Sequence, residues 1–393
     1  MAPNSDKQDP LSINQVEAIA RKKLPSQVYN YYACGADDET AIERNKEDFN
    51  RLYVLPRILR DVSSVDVSVN LFGHKFPLPI GIAPSAMQKL ASPEGELDVA
   101  RAAVLMGLNL TLSSNSTTLL EDVISVKQRS PVSVAPFWFQ IYLTKDLELS
   151  VPLIQRAEEA GYEALVLTVD TPVLGNRINE RETPLVLPSG IKLENLKQVK
   201  EEDQGKPSFN RRLMDARTAK QANEVLQEVG DRTNSAALTW KSTIGFLRRT
   251  TKMKIILKGI LAPEDALLAI EYGADAIVVS NHGGRQLDCV PSTIKALPGI
   301  AEVVNGRIPI IFDGGIRRGS DVFKALALGA NFVLVGRPVL WGLAYKGQEG
   351  VETVMHILER ELSRTMGLAG SASIKEINSS FLRRDLDGRL SKL

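Results

Sequence analysis

Short runs of apolar and β-branched residues recur along the chain, separated by segments in which apolar and polar positions alternate with a helical spacing. Eight runs read as strands: Pro79–Ala83, Asn109–Ser113, Trp138–Leu143, Ala164–Val169, Lys254–Lys258, Ala276–Ser280, Pro309–Phe312 and Phe332–Val335. Between them, Pro93–Met106 opens on Pro-Glu and stops at Gly107, while Gly273 stops Pro263–Tyr272 and Gly329 stops Ser320–Leu328. Strands alternating with helices predict βα units, and eight such units predict a (β/α)8 TIM barrel. A doubly wound sheet is the competing architecture, but no Gly-x-Gly-x-x-Gly turn follows an early strand.

Two segments fall outside the repeat. Residues 12–60 precede the first strand and read as helices plus a connector covering one end of the barrel. Residues 171–240 form a long insertion after the fourth strand, polar from Lys192 to Arg232. Loops after barrel strands lie on the catalytic face, so this one is expected to be a lid. A solvated excursion is the alternative. The predicted layout is one domain over 1–393, with a helical extension (1–76), a barrel (77–345) and a C-terminal helix and tail (346–393).

Composition narrows the classes. With 393 residues, 44% hydrophobic and 24% charged, the chain is neither disordered nor fibrous. Forty-eight Lys and Arg balance 47 Asp and Glu to a net charge of +1, which offers nucleic acid no overall attraction. No apolar run approaches the roughly 20 residues of a membrane span. The polar stretch Met1–Pro10 lacks a secretory signal's apolar core. Cys34 and Cys289 are too few for a disulfide framework or a thiolate metal cage. The expectation is a soluble intracellular protein. Its final Ser391-Lys392-Leu393, after a stretch that reads as flexible, matches the tripeptide bound by the peroxisomal import receptor, so a peroxisomal address is expected, or a cytosolic one if the tripeptide is unused.

Candidate chemistry gathers where the strands end. The third carries Gln140 and Tyr142 on one face, the fourth ends in Thr168 and Asp170, and the fifth in Lys258-Gly259. The sixth runs into Ser280-Asn281-His282-Gly283-Gly284-Arg285, the seventh into Asp313-Gly314-Gly315 with Arg317-Arg318, and the eighth into Gly336-Arg337. All would converge on one rim, where barrels place their chemistry. Glycines at 314, 315, 319 and 336, with Arg317, Arg337 and following helix N-termini, suit a phosphate. Of three histidines, His74 and His356 read as structural, whereas His282 stands exposed to a ligand. Asp170 is placed to accept its Nδ1–H, with Lys258 as a fixed cation nearby. Without a second His or thiolate cluster, no zinc site is expected.

Ser280-Asn281-His282-Gly283-Gly284-Arg285-Gln286-Leu287-Asp288 resembles the signature of the FMN-dependent 2-hydroxy-acid oxidase family. The resemblance extends from Val28-Tyr29-Asn30-Tyr31-Tyr32-Ala33 through Ala83-Pro84-Ser85-Ala86-Met87 and Leu167-Thr168-Val169-Asp170-Thr171-Pro172 to Asp313-Gly314-Gly315-Ile316-Arg317-Arg318-Gly319. It implies FMN, with Pro84, Ser85, Ala86, Ser113, Gln140, Thr168, Lys258 and Ser280 around the ring. Asp313, Gly314, Gly315, Ile316, Arg317, Gly336 and Arg337 would hold ribityl and phosphate. Arg177 and Arg285, helped by Tyr31, would clamp a substrate carboxylate. Tyr142 would bind its hydroxyl, and His282, oriented by Asp170, would act as base.

The implied reaction is oxidation of an (S)-2-hydroxy acid to a 2-oxo acid, with O2 reduced to hydrogen peroxide. Whether His282 takes the hydroxyl proton or the α-proton stays open. A dehydrogenase passing electrons to a cytochrome or quinone is the nearest alternative, and a non-redox FMN barrel isomerase a more distant one. The resemblance also implies a homotetramer or octamer. One departure concerns specificity: plant-type glycolate oxidases carry a Trp where this chain has Asn115, so a substrate larger or more polar than glycolate is expected.

Overall fold

The computed structural model describes residues 9–131, 135–196, 234–386 and 389–391, with isolated positions between 212 and 225. Eight strands close into a parallel barrel: β4 (Ile80–Ile82), β5 (Leu110–Ser113), β6 (Phe137–Ile141), β7 (Ala164–Thr168), β8 (Lys254–Ile260), β9 (Ala276–Val279), β10 (Ile310–Phe312) and β11 (Phe332–Val335). Each pairs with its successor, and β11 returns to β4. The eight predicted strands are all present, their ends displaced by no more than two residues. These strands are apolar at nearly every position because both faces are covered. Outward residues such as Phe139, Leu165 and Ile255 meet the helices, and inward ones such as Trp138, Val166 and Ile256 fill the barrel.

The helices follow local rules. Gly107 ends α4 (Glu96–Met106) with a left-handed backbone, φ 67°. That helix starts three residues later than predicted because Gly95, φ 51°, bends the chain ahead of it. Helices α5 (Leu120–Gln128) and α6 (Val151–Ala160) continue the ring, the second ending at Gly161. The short α7 (Ile178–Glu182) lies in the insertion, which returns through α8 (Trp240–Thr250), capped by the Thr239 hydroxyl. Helices α9 (Pro263–Glu271), α10 (Thr293–Val304), α11 (Gly319–Ala327) and α12 (Arg337–Ala369) complete it. The backbone of α12 breaks at Lys346 and Gly347.

The N-terminal segment lies over one end of the barrel, as expected. Helix α1 (Ile13–Lys23) packs on α12, while α2 (Ser26–Ala33) and α3 (Thr40–Asn50) reach the C-terminal rim of the strands. There Asn45 and Asn281 exchange two side-chain hydrogen bonds, at 2.9 and 2.8 Å. A hairpin of β2 (Val69–Leu71) and β3 (His74–Phe76) closes the opposite end, where Phe72 meets Trp138 and Phe76 meets Phe332. The C-terminal stretch read as flexible instead forms β12 (Leu382–Leu386) and β13 (Arg389–Ser391), a hairpin added to β1 (Leu52–Val54). Backbone pairing to β1, invisible in local composition, orders it. Lys392 and Leu393 lie outside the described residues, as does most of the polar stretch Lys192–Arg232.

Candidate active site

A polar layer caps the apolar filling of the barrel, because side chains two apart on a strand share a face. Above Trp138, Val166, Ile256 and Val278 come Gln140, Thr168, Lys258 and Ser280, each buried and each hydrogen-bonded to a neighbour. Gln140 accepts from the Ser113 hydroxyl at 3.2 Å and donates to Thr168 Oγ1 at 2.9 Å. Lys258 Nζ donates to Ser280 Oγ at 2.9 Å and lies 3.3 Å from Asp313 Oδ2. Pro84, Ser85 and Ala86 sit half-buried just past β4, and Gly336 faces them: a Cβ there would lie 3.8 Å from Ser85 Oγ. Beside Ser113, the Asn115 N–H donates to Ser113 Oγ at 3.1 Å.

At the rim, His282 Nδ1 lies 2.9 Å from Asp170 Oδ1. An Nδ1–H donated to that carboxylate leaves the Nε2 lone pair facing outward, 3.5 Å from the Tyr142 hydroxyl. Strand β6 ends before Tyr142, yet its hydroxyl reaches the predicted side. His282 holds φ 56° with no glycine's freedom, a strained backbone at the point of chemistry. Burial lowers its pKa, and Lys258 and Arg177 add to that, while Asp170 opposes them. The imidazole is therefore neutral around pH 7, as a base must be. Burial pushes the Asp170 carboxyl upward, but His282, their hydrogen bond and Lys258 outweigh it, so Asp170 stays ionised.

Gly259 makes this pair possible. It occupies an irregularity in β8 with φ 116°, and a Cβ there would fall 2.7 Å from the Asp170 Cβ.

Arg177 and Arg285 converge beside the histidine, the Arg285 guanidinium lying 4.9 Å from the Tyr31 ring centroid. Arg285 also donates to the carbonyls of Tyr31 and Cys34. Burial and Arg285 lower the Arg177 pKa, the signature of two cations held close together. Burial raises the pKa of the Tyr31 and Tyr142 hydroxyls, keeping both protonated as donors.

A second cationic locus lies at the ends of β10 and β11. Burial, with Arg285 and Arg317 beside it, pulls the Arg337 guanidinium down to about 9. Arg337 is held by the carbonyls of Tyr32, Gly283 and Cys34 at 2.8 to 3.1 Å. The Arg317 guanidinium makes only a long ion pair with Glu17, Nε to Oε2, at 4.0 Å. Lys46 of α3, exposed on its helix, lies close enough for both guanidiniums to help lower its pKa. Three cations with so little neutralisation suit a dianionic phosphate. Lys46 escaped the sequence reading because it lies in an exposed helical pattern far from any strand end.

The glycines divide their roles. Gly315, φ 82°, lets α3 approach: a Cβ would fall 2.0 Å from the Asn45 carbonyl oxygen. The Gly319 N–H is taken by Glu361 at 2.8 Å, and those of Arg317 and Arg318 by Asp321 at 3.0 and 2.9 Å. Those α11 N-terminal donors are therefore committed within the protein.

FMN fits this arrangement. Asp313 Oδ1 is buried without a hydrogen-bond partner, and ribityl hydroxyls would supply one. The cations of Arg317, Arg337 and Lys46 suit the phosphate, and Lys258 with Gln140, Thr168 and Ser280 would meet the polar edge of the ring. Ile316 is buried, and its carbonyl accepts from Arg317 Nη1 at 3.2 Å. The other histidines take no part: His74 pairs with Glu163 and His356 with Glu359.

Comparison with known proteins agrees with this chemistry. The family model FMN-dependent dehydrogenase matches residues 20–384. A 2-hydroxyacid oxidase of Dictyostelium discoideum is 43% identical over 372 residues, covering 95% of this chain and 90% of the relative. A glycolate oxidase of Spinacia oleracea is 43% identical over 381 residues, 97% and 98% of the two chains. A mandelate oxidase solved with (S)-4-hydroxymandelic acid superposes with a TM-score of 0.84 at 38% identity, covering 96% of this chain and 99% of the other. By sequence, fold and the constellation on its rim, this chain belongs to the FMN-dependent dehydrogenase family.

Proposed function

We propose that this protein oxidises an (S)-2-hydroxy acid to the 2-oxo acid and passes the two electrons to O2, releasing hydrogen peroxide. The observation that carries this reading is the neutral His282, held by Asp170 and presenting Nε2 beside two converging guanidiniums. Arg177 and Arg285 bind the substrate carboxylate and orient the α-carbon. Tyr142 donates to the substrate hydroxyl oxygen. His282 Nε2 accepts a proton from the substrate, and the Asp170 carboxylate stabilises the imidazolium that results. Bound FMN supplies the two-electron acceptor. Lys258, buried beside Ser280, would meet the ring's polar edge and favour negative charge there.

Purified protein mixed anaerobically with hydroxy acids should lose its yellow colour and regain it in air with one peroxide per turnover. Bleaching without peroxide, reversed only by a cytochrome or quinone, would make the protein a dehydrogenase instead.

Asn115, small and polar beside Ser113, favours acids bulkier or more polar than glycolate, such as lactate, longer-chain or aromatic acids. The mandelate oxidase relative, solved with an aromatic acid, supports the last of these. A kcat/KM series from glycolate to mandelate decides it, and a preference for glycolate would end the idea.

The protein acts as a homotetramer or octamer and resides in peroxisomes. Supporting the first, Ile58, the fully exposed Leu59 and Leu368 are exposed apolar side chains on two segments joined by the Arg57 N–H bond to the Ala369 carbonyl. Light scattering gives the state, and a monomer would refute it. Supporting the second is Ser391-Lys392-Leu393. A fluorescent fusion that keeps this terminus should collect in peroxisomes, and one lacking Leu393 should stay in the cytosol.

A further inference from the structure

The two guanidiniums assigned to the substrate carboxylate already share one. Glu180 Oε1 accepts from Arg285 Nη2 at 2.9 Å and from Arg177 Nη1 at 3.3 Å. All three side chains are largely buried, between 12% and 16% exposed, so solvent screens their attraction weakly. Glu180 is presented from a fixed backbone. On the same short helix the Asn179 amide donates to Glu39 at 2.8 Å, and just before it the Asn176 amide donates to Asp37 at 2.7 Å. These bonds tie α7 to the segment that follows Tyr31.

An arriving carboxylate must therefore share these two cations with Glu180, against the repulsion of a like charge within a few ångströms. We propose that Glu180 is an internal competitor for the substrate carboxylate, lowering the affinity of the Arg177–Arg285 fork for every anionic acid that enters. The same competition speeds departure of the 2-oxo acid, which is also an anion. Glu180 acts through the two arginines and touches no reacting atom. The inference rests on the reading in which Arg177 and Arg285 hold the substrate carboxylate.

Oxalate, a planar dianion with no hydrogen to lose, serves as the probe. Its binding is followed by the flavin absorbance of the FMN-loaded protein. Glu180→Gln keeps the shape and removes the charge. Its Kd for oxalate should fall about tenfold, and KM for the hydroxy acid should fall with it, by more than any change in kcat. Glu180→Ala should shift both in the same direction, which guards against one variant failing to fold. A Kd that is unchanged or higher in the folded variants overturns the proposal and makes Glu180 a spacer that keeps two cations apart. Arg285→Lys separates the two ideas, since it should weaken oxalate by at least about tenfold. If it does not, the carboxylate clamp itself is misassigned. If it does while Glu180→Gln fails to tighten binding, only the competitor role falls.

Discussion

His282 shows what one residue owes to its surroundings. An isolated imidazole titrates near 6.5, but here burial and two nearby cations lower that value against the pull of Asp170. Because the base must be neutral, kcat/KM should fall as pH drops through the lowered pKa, placing the acid limb below 6.5. A limb above 6.5 would mean another group titrates. Asp170→Asn removes the anion that favours the imidazolium, so the limb should move further toward acid while kcat drops roughly a hundredfold or more. His282→Ala should keep FMN bound and abolish reduction by the hydroxy acid. Loss of the yellow colour would instead assign the histidine a structural role. Most of these side chains were readable beforehand, since residue type and position at a strand end disclose them. Glu180 and Lys46 were not, because a lone acid in an insertion and a lysine on an exposed helix look like any solvated charge.

At the level of elements, the alternation of each strand places an apolar layer below and a polar layer above. This is why Gln140, Thr168, Lys258 and Ser280 could be gathered on one rim from their spacing alone. The details that aim them belong to irregular backbone. The displaced register of β8 at Gly259 leaves room for Asp170, and Gly259→Ala would combine a left-handed strain with a contact at 2.7 Å. That change should cost roughly 2–4 kcal/mol of stability. It should also lower kcat well before it lowers FMN content, because it strikes the Asp170 carboxylate rather than the cofactor's cations. Thermal melts and flavin occupancy measured together check both parts. Helix starts were the least legible boundaries. Gly95 delays α4, and the N–H groups ahead of α11 are satisfied by Asp321 and Glu361 rather than kept for a ligand.

Across the whole molecule, the phosphate locus joins parts far apart in the chain: Lys46 from α3, Arg317 after β10 and Arg337 at the start of α12. A ligand that binds all three cross-links the N-terminal cover to the barrel. FMN at about a hundred times its Kd should therefore stabilise the fold by about 2.7 kcal/mol, while riboflavin, lacking phosphate, should do so far less at equal concentration. Equal shifts in Tm would place the binding energy in the ring alone. Arg337→Met should abolish the difference between the two ligands. The sequence by itself determined the barrel, the rim and the order of its polar strand ends, because burial on two faces and the two-residue repeat are written locally. Only the tertiary structure decided the rest. The terminal hairpin on β1, the lysine brought near two arginines and the glutamate lodged between two others depend on distances between residues remote in the chain, and no local pattern encodes a distance of that kind.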